Sequence, residues 1–272
     1  MRVFLTGATG YIGTAVAEAM QAAGHEVLGL ARSEEARWKL AARGVEPREG
    51  DVADPRTVTE AAKGAEALIY AAQAGEGDRA AVEALAGLGK PLIYTSGVWV
   101  LGSTGDSVAD ESWPLNPPEI VAWRPAVEQV ALRVGTVIRP AMVYGRQGGF
   151  MMTFVQTARH HGAARYVGGG ENRWTWVNVD DLADLYVLLL NAPAGTLVHA
   201  AAGPAVRVRE AAEAASRFAG AEGKTQPWPL ESARAQLGLL ADALVLDQRV
   251  SGEKARREFG WRPMARPVTE EF

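Results

Sequence analysis

The chain has 272 residues, 48% of them hydrophobic and 22% charged, with a formal net charge of −4; this is the composition of a globular protein able to bury a core of its own. It contains no cysteine, which excludes disulfides, thiol catalysis and cysteine-ligated metals. The weakly acidic balance and the lack of any basic tract argue against nucleic acid or a membrane surface as the main partner.

The N-terminus, MRVFLTGATG, runs straight into a strand and a glycine turn, without the basic-then-apolar pattern of a signal peptide; a cytoplasmic protein is expected. RVFLT (2–6) reads as a buried strand and TAVAEAMQAAG (14–24) as a helix closed by Gly24. HEVLGLA (25–31) is a strand, and SEEARWKLAARG (33–44) a helix ending at Gly44. EALIYAA (66–72), PLIYTSG (91–97) and GTVIRPA (135–141) are further strands with helices between them. This alternation predicts an α/β fold, a Rossmann-type doubly wound parallel sheet covered on both faces.

After Tyr144 the rhythm changes, and residues 145–180 are rich in glycine, arginine and aromatics. A helix at 180–190, a strand at 196–202 and a helix at 208–220 follow, then short helices with loops. The expected division is a dinucleotide-binding domain of 1–145 plus about 177–202. A small C-terminal substrate lobe would come from about 146–176 and 203–272, with a ligand cleft between the two.

TGATGYIG places Gly7, Gly10 and Gly13 between a strand and a helix. Glycines at this spacing let the backbone turn tightly and a pyrophosphate approach the helix N-terminus. The wider cofactor-binding set includes Thr9, Tyr11 and Ile12 of the same turn. An NAD site carries an acid about 20 residues further on, against the ribose 2′-hydroxyl. Here the second strand leads into LGLARSEE, with Arg32 and Ser33 where that acid is expected. A guanidinium suits a 2′-phosphate, because its fork binds two oxygens at once. NADP is therefore favoured over NAD, and Ser33 doubles as the N-cap of the next helix.

With TGATGYIG, GDVAD (50–54), TSG (95–97), RPAMVYG (139–145), VNVDDLAD (177–184) and GEKARREFGWRP (252–263) in order, the chain resembles the extended short-chain dehydrogenase/reductases. Its nearest likeness is to their NAD-dependent epimerase/dehydratase branch. The resemblance implies that Asp51 and Val52 lie beside adenine, Ala71 and Ala72 beside the cofactor's central ribose, and Pro140 to Val143 beside the nicotinamide. It makes Ser96 the serine that hydrogen-bonds a substrate oxygen. It also implies a homodimer, formed by pairing the helices near 78–89 and 125–133 into a four-helix bundle.

One stretch departs from that family. PEIVAWRPAVEQVAL (118–132) has Ile120 and Arg124 where the resemblance calls for a tyrosine and a lysine, with Glu128 matching the glutamate that follows. No Tyr-x-x-x-Lys occurs anywhere in the chain. Pro125 belongs in the first turn of a helix, so the helix should begin near Trp123 or Arg124 and leave Ile120 in an approach loop. Ile120 cannot move a proton. Arg124 stays charged, but can hold ribose hydroxyls or steady an oxyanion.

Tyr144 is the first substitute proton donor to consider, and His160 and His161 are further titratable groups. Trp99, Trp123, Trp174 and Trp176 fall in segments expected around the cleft; Trp99, Trp123 and Trp174 would wall a flat or apolar substrate. Arg146, Arg165 and Arg173 offer cations for a phosphate or carboxylate. Asp180 and Asp181 read as caps of the following helix. No spacing suggests a metal site. Three readings stand at this point: an NADP-dependent oxidoreductase with a non-standard active site acting on a small carbonyl compound, a non-catalytic dinucleotide sensor or scaffold, and a sugar-nucleotide epimerase or dehydratase.

Overall fold

Strand β1 (Arg2–Thr6) is buried from Val3 onward, as expected for an apolar run covered on both faces. The computed structural model describes residues 1–73 and 75–271. From β1 the chain alternates through α1 (Tyr11–Ala22), β2 (Glu26–Ala31), α2 (Glu34–Ala41), β3 (Glu46–Glu49), α3 (Pro55–Ala61), β4 (Ala67–Tyr70), α4 (Asp78–Ala86), β5 (Leu92–Thr95), α5 (Arg124–Leu132) and β6 (Thr136–Pro140). It then leaves the sheet for β7 (Met142–Gly145), β8 (Gly148–Gly149), α6 (Met151–His161), β9 (Ala164–Val167) and β10 (Arg173–Asn178). Next, α7 (Val179–Leu189) and β11 (Thr196–Ala200) return to it. The remainder is β12 (Ala202–Arg207), α8 (Val208–Phe218), β13 (Thr225–Trp228), α9 (Leu230–Leu237), α10 (Leu240–Leu244), α11 (Glu253–Phe259) and α12 (Val268–Glu271).

The central sheet has seven strands in the order β3-β2-β1-β4-β5-β6-β11, all parallel. Its order reverses between β1 and β4, and in such sheets the crevice beyond the carboxyl ends at that reversal receives ligands. One face is packed by Val16 and Met20 of α1 with Leu182 and Leu185 of α7. The other is covered by Val58 of α3, Val82 and Leu85 of α4, and Val127 and Val130 of α5. The apolar residues of α4 and α5 thus face their own sheet. No described helix is long and apolar enough to cross a membrane.

A second, four-stranded sheet in the order β12-β10-β7-β8 carries a separate core with α6 and α8, built on Phe154, Trp174, Trp176, Val208 and Ala212. The sequence marks 145–180 only as rich in glycine, arginine and aromatics, and β9 and β10 are regular strands there. Met142–Gly145, expected in the dinucleotide-binding part, pairs with β10 in this second sheet. Conversely Val250, Ala255 and Trp261, expected in the lobe, pack into the large core of the first sheet.

Candidate functional site

Gly7 takes φ +70°, the left-handed region, and a Cβ there would lie 2.6 Å from the Ala71 carbonyl oxygen. The turn therefore touches the end of β4, where the Ala71 and Ala72 amides donate to Thr6 Oγ1 at 3.1 and 3.2 Å. A Cβ on Gly13 would come 2.1 Å from the Gly7 carbonyl oxygen, so this glycine lets α1 sit directly on the turn. Gly10 differs: it is the extended N-cap of α1, and a Cβ there would meet only the Gly7 oxygen, at 3.1 Å. Gly7 and Gly13 are needed by the fold, while Gly10 keeps space open in front of the helix N-terminus, whose first amides lack intrahelical acceptors.

That space is a cavity of about 670 Å³ at the β1/β4 reversal. Gly7, Thr9, Gly10, Tyr11, Ile12, Gly13, Arg32, Ser33, Asp51, Val52, Ala71 and Ala72 all line it. Pro140 and Val143 do not: Pro140 is buried at the end of β6, and Val143 packs against the first core. Ser33 caps α2 by accepting from the Ala36 amide at 3.2 Å. Arg32 is exposed and has no ion-pair partner among the described residues. Sequence reasoning missed Glu35 and Lys39, which also line the cavity and pair with each other at 2.6 Å.

Beyond β5, Ser96 anchors its amide on the Ile138 carbonyl at 2.8 Å. It is 5% exposed, and its Oγ has no partner. Arg124 begins α5, with Pro125 in the first turn and Ile120 in a separate 3₁₀ turn, Glu119–Val121, as the chain's proline predicts. The Arg124 guanidinium lies against the Ser96–Gly97 turn, so that a Cβ on Gly97 would be 2.6 Å from its Nη1. Its Nε is buried without a partner. Burial lowers the guanidinium pKa, opposed by the nearby Tyr94, Asp78 and Glu128. One turn along, Glu128 makes a fully buried, two-bond pair with Arg139 at 2.9 and 2.6 Å. The Gln248 amide nitrogen donates to the Val98 and Gly102 carbonyls, both at 2.8 Å, pinning the turn that follows Ser96. No sequence signal marks Gln248.

Tyr144 does not serve this site. Its hydroxyl donates to the Arg266 carbonyl at 2.5 Å, its pKa is raised by burial, and it borders a different cavity. Trp174 is also a correction: it is 1% exposed, stacks on Phe154 and donates to the Leu246 carbonyl at 3.2 Å, so it is a core residue and not a wall. Trp123 supports Arg124, whose guanidinium sits 5.5 Å from its ring. Trp99, the third of them, is half-buried. It follows β5 in a 3₁₀ turn yet packs against the second core, with its indole Nε1 unpartnered.

Of the candidate cations, Arg146 is bound to Glu18 and Asp180 at 2.5 Å each, and Arg173 to Asp247. Arg165 stacks 4.7 Å from the Trp228 ring. His160 and His161 are exposed at the end of α6. Asn178, not an aspartate, caps α7 by accepting from the Asp180 amide. Asp181 instead accepts from the Met264 and Ala265 amides. No group of side chains able to hold a metal ion occurs among the described residues.

Seven parallel strands in this order, with a glycine-turn cavity at the reversal, define a Rossmann-type dinucleotide-binding protein. Residues 7–96 match the NAD(P)H-binding family, and residues 125–201 match the NAD dependent epimerase/dehydratase family. An uncharacterized protein of Schizosaccharomyces pombe is 32% identical, the alignment covering 97% of this chain and 95% of that protein. A 4-hydroxy-2-methyl-3-oxo-4-farnesyl-3,4-dihydroquinoline-1-oxide ketoreductase of Stigmatella aurantiaca is 27% identical over 96% and 92% of the two chains. Among solved structures, a human epimerase family protein with NADPH superposes with a TM-score of 0.78 at 22% identity, covering 99% of this chain and 97% of that one. The UDP-glucose 4-epimerase of Thermotoga maritima gives 0.80 at 19%, covering 99% and 96%. The chain belongs to the NAD dependent epimerase/dehydratase family.

Proposed function

We propose that this protein is an NADP-dependent oxidoreductase acting on a carbonyl group of an apolar or flat substrate. The observation that carries the reading is the set of unpartnered buried polar atoms beyond β5: Ser96 Oγ, Trp99 Nε1 and Arg124 Nε. Buried donors are rarely left unpaired in the absence of a ligand, and these three flank one turn at the carboxyl end of the sheet. The residues present fit a dinucleotide: Gly10, without a side chain, lines the cavity at the α1 N-terminus, and Arg32, with no ion-pair partner among the described residues, lines the same cavity.

When bound, a reduced nicotinamide dinucleotide would supply the hydride. The glycine turn and the α1 N-terminus would hold the pyrophosphate, Asp51 and Val52 would meet the adenine, and Arg32 with Ser33 would take the 2′-phosphate. Ser96 donates its hydroxyl hydrogen to the substrate carbonyl, and Arg124 steadies negative charge developing on that oxygen. Arg124 moves no proton, because a guanidinium stays protonated; solvent or a group of the substrate itself completes the product. Two curated relatives are named as reductases of oxo compounds, the Stigmatella enzyme and a 2-alkyl-3-oxoalkanoate reductase of Stenotrophomonas maltophilia, which supports a carbonyl substrate over a sugar nucleotide.

The test is titration with NADPH and NADH followed by nicotinamide fluorescence, then a carbonyl panel with the Ser96→Ala variant. Micromolar NADPH binding, weaker NADH binding and turnover lost in Ser96→Ala are expected. A second reading, a non-catalytic dinucleotide sensor, is favoured by the missing Tyr-x-x-x-Lys and the engaged Tyr144 hydroxyl. Binding without turnover on any panel member would establish it over the first.

A further inference from the structure

The GEKARREFGWRP segment lies outside the dinucleotide cavity, yet Arg256 and Pro263 from it line a second cavity of about 350 Å³. Trp176, Tyr144, Val206 and Val268 close its apolar walls, and it shares no lining residue with the dinucleotide cavity. Three indoles in and around this region can be compared directly. Trp174 donates to the Leu246 carbonyl at 3.2 Å and Trp261 to the Asp181 carbonyl at 2.7 Å. Trp176 is 2% exposed, and its Nε1 has no acceptor. Among the lining residues it is the one with a buried unpartnered polar atom, although a buried indole N–H ordinarily finds a partner.

Arg256 is the one charged residue lining the cavity. Its guanidinium carbon lies over the Trp261 ring, 5.5 Å from the centroid, and Nη2 donates to the Ala201 carbonyl at 3.3 Å. That bond leaves further guanidinium donors. The Tyr144 hydroxyl, which borders the same space, spends its hydrogen on the Arg266 carbonyl. The rest of the lining is proline, valine, alanine, glycine and aromatic surface.

We propose that this cavity is a second small-molecule site, for an apolar carboxylate whose oxygens accept from the Trp176 indole and Arg256. Its volume lies at the small end of the range for ligand pockets, which suits a short alkyl or single-ring acid. The site is independent of the carbonyl chemistry proposed above and stands whether or not that chemistry occurs.

The probe is octanoate, titrated into the full chain while the indole N–H resonances are followed by NMR, with Trp176→Phe identifying the relevant signal. Saturable binding that shifts the Trp176 resonance is expected, weakened about tenfold in both Trp176→Phe and Arg256→Gln, as for loss of a hydrogen bond to a charged group. Thermal midpoints show whether each variant is folded; should Trp176→Phe fail to fold, Arg256→Gln, at a partly exposed position, carries the test alone. 1-Octanol, with the same chain and no carboxylate, is expected to bind more weakly. No saturable shift up to roughly 10 mM, equal affinity in wild type and variants, or octanol binding as tightly as octanoate would each overturn the proposal.

Discussion

Gly10 and Gly13 occupy one turn and answer to different demands. Gly10→Val fills the space before the helix N-terminus and is expected to abolish NADPH binding while leaving the thermal midpoint within a few degrees of wild type. Gly13→Ala must push apart atoms 2.1 Å away, and overpacking of this kind costs roughly 1–3 kcal/mol; its midpoint should fall first. A Gly10→Val variant that binds NADPH normally would remove the pyrophosphate assignment. At Arg32 charge decides: Arg32→Glu is expected to weaken NADPH at least tenfold and NADH little, the loss of a charge-assisted contact. Equal losses for both would mean that Arg32 does not meet the 2′-phosphate. Ser33 and Arg32 were readable from LGLARSEE because a cap and a cation leave local marks. Lys39 was not, because its exposure to the cavity depends on where α2 is laid against the sheet.

Helix α5 is positioned by charge buried beneath it. Glu128 holds Arg139 on β6, and Arg139 Nη1 reaches His199 Nε2 on β11 at 3.4 Å. Removing one partner strands the other, and Glu128→Ala is expected to destabilise by about 3–5 kcal/mol, measured by denaturant unfolding. Burial first, then Arg139, push the His199 pKa down from 6.5 to about 3. The unfolded chain therefore binds a proton that the folded chain refuses. Stability from this group is complete above about pH 6.5 and is lost as pH falls toward 3, at up to about 1.4 kcal/mol per pH unit. His199→Gln should flatten the decline in thermal midpoint between pH 6.5 and 5; an unchanged slope would assign acid sensitivity elsewhere. The start of α5 was legible because Pro125 constrains it locally. The burial of Glu128 was not, since its partner lies eleven residues away on a strand, and β7 and β10 were hidden by aromatic and glycine-rich sequence whose pairing is long-range.

At the scale of the molecule, the two sheets are interleaved by the chain. It leaves the first sheet after Pro140, returns at α7, leaves again after Ala200 and comes back at α11. The Rossmann order was legible because each βαβ unit is closed by neighbours in sequence. The second sheet joins segments as far apart as Met142 and Ala202 around a common strand, a pairing that no local pattern announces. The same interleaving makes the first 145 residues an incomplete unit: expressed alone they lack Val177, Leu182, Leu185, Val198 and Trp261 of their own core. Such a fragment is expected to show no cooperative unfolding transition by circular dichroism, whereas a sharp transition would show that those residues are dispensable.

Trp261 has a consequence in time as well as in space. Its indole joins the core of the first sheet and hydrogen-bonds to the backbone of α7. Because synthesis runs from the N-terminus, the glycine turn is made well before Trp261, and the core that α1 and α7 share stays incomplete until residue 261 has left the ribosome.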